Sequence, residues 1–349
     1  MLRVVRADER LAALTKPALQ PTAQFRLQSD DCLIVCAGFE DRAMGVLGNA
    51  VAGGTDFAVL IIDYLPFMLE NRLAEIRAVC RTASLRATEI TYDRQNPAGF
   101  GSLLLERIAG VRGRTILDVS AMSRLLIVQS LVALNQRTSG PGLRNCVVAY
   151  AEAASYPPTE EEVEQELRQS GEDPLYSVLL LSSGVFDVTI VPELSCTAIG
   201  GTQTRLAAFP TFSTDQLTAL RSELAPSRLT CIHGVPPSPQ NQWRTAAIAR
   251  INRLSLAPPE NLLASTLDYR ETFDFLLKLY DAHSDRERIL LSPTGSKMQT
   301  VAVGLFRAFM DDVQIVYPTP KEFRSPKSYT QGVGQLYSLA LDAFGHFPS

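Results

Sequence analysis

One motif occurs twice in this chain, and it limits the fold more than any other feature. The later copy runs Ile289-Leu290-Leu291, then Ser292-Pro293-Thr294-Gly295-Ser296-Lys297, then the apolar stretch Met298-Gln299-Thr300-Val301-Ala302-Val303-Gly304-Leu305-Phe306. The earlier copy runs Thr115-Ile116-Leu117, then Asp118-Val119-Ser120-Ala121-Met122-Ser123-Arg124, then Leu125-Leu126-Ile127-Val128. Each reads as a short apolar strand, a hydroxyl-rich turn with a cation, and an apolar helix. Such a turn presents backbone N–H groups to an anion at a helix N-terminus. Two copies predict two Rossmann-like halves and point toward a phosphate-bearing ligand.

The flanking pattern agrees. Continuously apolar strands are predicted at 32–37, 57–62, 87–91, 115–117 and 146–150, with helices between them. Strands of that kind belong in a parallel sheet covered on both faces. The expected fold is therefore α/β, with two Rossmann-like parallel-sheet units in tandem and an intervening α+β insert. The expected boundaries are an N-terminal domain over 1–155, the insert over 156–227 and a C-terminal domain over 228–349. The insert opens with an acidic helix over 159–166. Two strand candidates follow, at 185–191 and 205–209, with Gly200 and Gly201 between them as a hairpin turn. Ser213-Thr214-Asp215-Gln216 fits a capping box. The second unit is expected to start with the strand ending at His233-Gly234, which places Gly234 opposite Gly38 and leaves that unit one strand–helix pair short. The shared order of elements supports an internal duplication.

Composition narrows the function. With 33 basic and 37 acidic residues the net charge is −4, so no field for general duplex nucleic-acid binding is expected. The six cysteines form no C-x-x-C pair and read as buried reduced thiols. Three histidines give too few ligands for a histidine-rich metal site, and no metal is expected. The N-terminus carries no secretory pattern, and no apolar run approaches the ~20 residues of a membrane span. A cytoplasmic protein without membrane contact is expected. The glycine patterns of P-loop and dinucleotide sites are absent, so no cofactor is expected either.

Ligands of open parallel sheets bind beyond the carboxyl ends of the strands. In the later motif Ser292, Thr294, Gly295, Ser296 and Lys297 occupy such an end. Gly295 allows close backbone approach, Thr294 and Ser296 can donate to phosphate oxygens or cap the helix, and Lys297 adds charge. A capped helix with Lys297 in solvent is the alternative. Asp118, Ser120, Ser123 and Arg124 are the corresponding candidates in the earlier motif. Gly38-Phe39-Glu40-Asp41-Arg42 follows the first strand. There Glu40 suits a general base, or Asp41 and Arg42 suit a ribose and a phosphate; helix-terminal acids with a local ion pair fit the same residues. Glu40 and Asp118 are the candidates for acid–base catalysis. The segment 318–329 carries three cations and two aromatics, and reads as a loop that closes over an anion or as plain surface.

Thr294-Gly295-Ser296-Lys297-Met298 resembles the T-G-G-T-K-like turn of CRISPR-associated Rossmann-fold (CARF) sensor domains, shortened by one residue. The earlier copy departs from it, with Ala121 and Arg124 where glycine and lysine stand in the family. The resemblance implies a cyclic oligonucleotide or related nucleotide bound at a two-fold-like interface, in a prokaryotic defence setting. The leading reading is thus a nucleotide-binding sensor or regulatory protein for a cyclic or linear oligonucleotide. An effector protein as partner and a homo-oligomeric state stay open. The second reading is an enzyme acting on a nucleotide, a phosphodiesterase or glycosidase using Glu40 or Asp118. The third is a non-catalytic assembly subunit.

Overall fold

The structure, a computed structural model, describes residues 15–137, 142–169, 182–196, 203–257, 261–323 and 330–344. The chain begins with strands β1 (Gln20–Pro21), β2 (Cys32–Cys36), β3 (Ala58–Leu65), β4 (Arg86–Asp93), β5 (Thr115–Asp118) and β6 (Cys146–Ala151). Helices α1 (Gly45–Val51), α2 (Leu73–Thr82), α3 (Phe100–Arg107) and α4 (Arg124–Gln136) lie between them. After α5 (Glu160–Gln169) come strands β7 (Ser182–Thr189), β8 (Gln203–Ala208), β9 (Arg228–Val235), β10 (Asn261–Ser265), β11 (Glu287–Ser292), β12 (Gln314–Ile315) and β13 (Tyr317–Phe323). The helices among these are α6 (Thr214–Leu224), α7 (Trp243–Ile251), α8 (Tyr269–His283) and α9 (Lys297–Phe309); β14 (Leu336–Ala340) ends the series.

The chain divides into two compact units, between Tyr156 and Pro157 and again between Ser328 and Tyr329. In the first unit the strand order is β1-β14-β6-β5-β2-β3-β4. The five strands β6, β5, β2, β3 and β4 are parallel, and β14 adds antiparallel to β6. In the second unit the order is β10-β9-β8-β11-β12, parallel throughout. Read along the chain, both parallel sets place their strands third-second-first-fourth-fifth. Both units are α/β and Rossmann-like, with the reversal of order between β2 and β5 in one and between β8 and β11 in the other.

The sequence dictates this where burial is two-sided. Leu33, Ile34 and Val35 of β2 are fully buried, so no polar alternation is possible there. Residues 125–134 of α4 are buried without exception, as in a helix apolar on every side. Leu206, Ala208, Leu217, Leu220, Leu290 and Val316 form a core on one face of the second sheet.

Several expectations change. Residues 156–227 do not stand apart as an insert. Gln203–Ala208 is the central strand of the second sheet, pairing with β9 on one side and β11 on the other. It pairs in no hairpin with β7, whose antiparallel partner is β13; Gly200 and Gly201 lie outside the described residues. The second unit therefore has its full set of five strands, and Phe209, not Gly234, follows its first strand. Residues 318–323, expected within a loop, belong to strand β13, while 324–329 lie outside the described residues. The C-terminal β14 returns to the first sheet rather than closing a domain over 228–349. Ser213 makes no side-chain cap on α6. Among the described residues no helix is long and apolar enough to cross a membrane.

The place of β8 is testable. Leu206 is 0% exposed, and Leu206→Ala should cost about 2–5 kcal/mol, as for a large-to-small change in a core. Phe186 on β7 is half exposed, and Phe186→Ala should stay within about 0.5 kcal/mol. Denaturant midpoints of the two variants check this; equal losses would place β8 at the periphery.

Candidate functional site

The carboxyl ends of the first-unit strands gather most of the expected residues, and they spend their polar groups on one another. Gly38 and Ala121 touch: a Cβ on Gly38 would lie 2.8 Å from that of Ala121. That contact, rather than a ligand, is what requires glycine at 38. Glu40 and Arg42 are both buried and form an ion pair of 2.7 Å, with Arg42 Nε also donating to Glu40 at 2.9 Å. Burial opposes the charge on Arg42, but Glu40 and the phenols of Tyr150 and Tyr156 outweigh it and raise the pKa of the guanidinium. Thr330 donates its hydroxyl to Glu40, Gly332 donates its N–H to Asp41 at 2.8 Å, and Asp41 is also salt-bridged to Arg72. Phe39 is half-buried on the same turn.

Asp118 and Ser120 are buried. Ser120 donates to Asp118 and accepts from the Ala151 N–H at 2.8 Å. Ser123 caps α4, its hydroxyl accepting from the Leu126 N–H at 3.4 Å. The N–H of Ser123 donates to the Tyr64 phenol at 2.5 Å. Arg124 is half-buried on the first turn. Glu40 and Asp118, the two candidates for acid–base catalysis, are thus both held in buried hydrogen bonds. A general base must reach the proton it takes, and here each carboxylate is engaged by its own chain.

The second-unit turn is also tightly braced. Thr294 is buried; its hydroxyl donates to the Phe209 carbonyl at 2.8 Å and accepts from the Phe209 N–H at 3.2 Å. Ser296 donates to the Thr266 carbonyl at 2.6 Å and accepts from the Gln299 N–H at 3.1 Å. The hydroxyl protons expected to meet phosphate oxygens therefore hold the first and third strand exits of the sheet. Gly295 lies beneath Phe209: a Cβ there would stand 2.9 Å from the ring and 2.5 Å from Gln299 Oε1. Lys297 is half-buried in the first turn of α9.

Gln299 was not among the expected site residues. Its Oε1 accepts from the Ser296 N–H at 3.0 Å, completing a capping box with Ser296. A Cβ on Gly234 would come 3.4–3.6 Å from its amide, so the group lies over two glycines. Gln299 is 1% exposed, and its Nε2 has no protein hydrogen-bond partner. The signal was legible, because Ser296-x-x-Gln299 before an apolar run is the capping-box pattern. Ser292 is also fully buried at the end of β11, with its hydroxyl oxygen unpartnered. Two buried donor groups without acceptors thus lie at or beside the positive end of α9. Each such group costs about 1–3 kcal/mol when left unsatisfied, and an oxygen-bearing ligand offsets that.

His233, one residue before Gly234, is buried and bonded through Nε2 to Asn261 at 3.2 Å. Burial holds its pKa below the usual 6.5.

No protein-family model matches the chain, and no characterised protein matches it in sequence. Among solved structures, one that it resembles is a type III CRISPR defence DNA nuclease activated by cyclic oligoadenylate. Identity is 10%, the TM-score 0.43, and the likeness covers 82% of this chain and 65% of that one. The chain thus spans 65% of the nuclease's length. A second is the cytoplasmic domain of a prokaryotic cation chloride cotransporter, at 12% identity and TM-score 0.24, covering 83% of this chain and 95% of that one. A third is a ketoreductase domain from the bacillaene assembly line, at 10% identity and TM-score 0.17, with 85% and 72% covered. At these values the likenesses bear on neither ligand nor activity.

Two measurements probe the site. Thr294→Val removes the hydroxyl that serves both backbone groups of Phe209, and should destabilise by about 1–3 kcal/mol; an unchanged unfolding midpoint would show that the turn is not braced this way. For His233 the sign is set by burial of the neutral ring. Its folded pKa lies below 6.5, so the unfolded chain binds the proton more readily and stability falls as pH drops below about 6.5. Melting at pH 5 against pH 7 should show a smaller loss in His233→Gln than in wild type.

Proposed function

We propose that this chain is a nucleotide-binding sensor or regulatory protein, and that a ligand phosphate sits on the second-unit turn Thr294–Lys297. The observation that carries the reading is Gln299. Its amide offers two N–H donors, buried and without a protein acceptor. They lie in the first turn of a 13-residue helix, where the dipole favours an anion. Lys297 adds one positive charge two residues away. Thr294, Ser296 and Gly295 take the role of a frame that fixes the turn, rather than that of direct donors. Ser292 lies on the adjoining strand end.

The class of nucleotide comes from the resemblance of Thr294-Gly295-Ser296-Lys297-Met298 to the CARF turn, and is a cyclic or linear oligonucleotide in a prokaryotic defence system. The first-unit turns, Gly38–Arg42 and Asp118–Arg124, are not assigned to the ligand, because Glu40, Asp41, Arg42, Asp118, Ser120 and Ser123 already hold partners within their own unit. The same observation disfavours turnover through Glu40 or Asp118.

The test is a thermal-shift screen with mononucleotides and with linear and cyclic oligonucleotides. A ligand at 100 times its Kd stabilises by about 2.7 kcal/mol, a rise of several degrees. Gln299→Glu keeps an oxygen for the Ser296 N–H, removes both donors and adds a negative charge. Both it and Lys297→Ala should abolish the shift, and Lys297→Ala, at a half-buried position, should melt close to wild type. A shift that survives both variants, or no shift with any nucleotide, would overturn the reading, and the second outcome would favour an assembly subunit.

A further inference from the structure

The two units solve one problem in two ways, and the difference decides which of them is open. In each, the N–H of the residue capping the motif helix points away from the helix and needs an acceptor. Strand registers align the positions. Ile34 pairs with Leu117 and with Leu60; Ala207 pairs with Leu291 and with Thr230. Leu117 and Leu291 hold the same place in the repeated motif, so Leu60 corresponds to Thr230. Four residues further on, Tyr64 corresponds to Gly234. Counting from the caps Ser123 and Ser296, Leu126 corresponds to Gln299.

The first unit thus has a tyrosine on the second strand and a leucine in the helix. The second has a glycine on the strand and a glutamine in the helix. In the first, the Tyr64 phenol reaches the Ser123 N–H. The Tyr64 ring is buried, packs edge-on against Tyr92 and lies under Arg94, which is held by the carbonyls of Leu65 and Pro66. The remaining phenol proton faces the Ala121 carbonyl at 3.5 Å. In the second, the Gln299 amide lies over Gly234, accepts from the Ser296 N–H and retains two donors.

We propose that the first-unit motif turn is closed from within, the Tyr64 phenol taking the place that the Gln299 amide holds in the second unit and leaving no donor for a ligand oxygen, so that of the two motif turns only the second-unit one binds a phosphate. The location of that ligand rests on the function proposed above; the closure by Tyr64 does not.

Hydrogen exchange of the full chain, followed with and without a nucleotide from the screen, separates the two. Gain of protection over 293–300 supports the second-unit site, and its absence counts against that site alone. Residues 119–126 should be protected in both states and unchanged by ligand; added protection there would overturn the closure. In Tyr64→Phe, which keeps the ring, exchange at Ser123 should be about tenfold faster, the loss of one hydrogen bond; wild-type exchange there would also overturn it. Tyr64→Gly/Leu126→Gln transplants the second-unit solution. This variant should bind inorganic phosphate with one equivalent more than wild type by calorimetry. A folded variant with no added equivalent would refute the claim that the phenol is what closes the unit.

Discussion

The structure depends on how each sheet manages the point where its strand order reverses. There two adjacent parallel strands send the chain to opposite faces, and both exits must satisfy their backbone groups in the same small space. The second unit does this with a single hydroxyl, as Thr294 both donates to and accepts from Phe209. The first does it by contact and relay: Gly38 lies against Ala121, and Ser120 bridges Asp118 and the Ala151 N–H. Without these links the helices that begin at the exits would have no fixed origin.

Once the exits are pinned, the next group to satisfy is the cap N–H of the motif helix. A phenol from β3, two strands away, and a carboxamide from the helix itself serve equally as acceptors. They differ in what they leave over. A phenol has one proton, and in the first unit it faces a carbonyl. A carboxamide has two, and in the second unit neither finds a protein oxygen. The glycine that makes room for the carboxamide therefore also determines whether the rim has donors to offer.

The sequence made the parallel sheets legible where burial is two-sided. The runs around Leu33, Leu60 and Leu290 are apolar at every position, and the strand assignments follow from that. Strand β8 was harder, because Gln203, Thr204 and Arg205 give it a polar start. Its register explains them: Arg205 is buried, pairs with the half-buried Glu287 on the neighbouring strand at 2.5 Å and reaches Thr230 on the other side at 3.1 Å. Only tertiary pairing reveals that a polar triplet opens a central strand. Strand β14 was hidden for the related reason that its partner β6 lies more than 180 residues earlier in the chain. The candidate turns were visible at once, since hydroxyls, glycines and cations concentrate there. Which of their polar groups were already engaged was not visible, because those partners come from Thr330, Tyr64, Phe209 and Thr266, all remote in sequence.

Polar residues collect at strand ends for two physical reasons that look alike in a sequence. One is ligand binding; the other is that a reversal of strand order exposes backbone groups that only nearby side chains can satisfy. Glu40 and Arg42 illustrate the second. Both are buried, their charges oppose each other at 2.7 Å, and Thr330 donates its hydroxyl to the same carboxylate oxygen, Oε2. A pair of this kind is costly to break and adds little net stability, because desolvation cancels most of the attraction. It serves to hold the turn in one geometry. The first reason leaves a different trace, a buried donor for which the fold supplies no acceptor. Within the two motif turns that trace falls on Gln299 and the adjoining Ser292 rather than on the more conspicuous acids. A carboxylate at a strand end therefore says less about ligands than an amide whose protons the protein does not use.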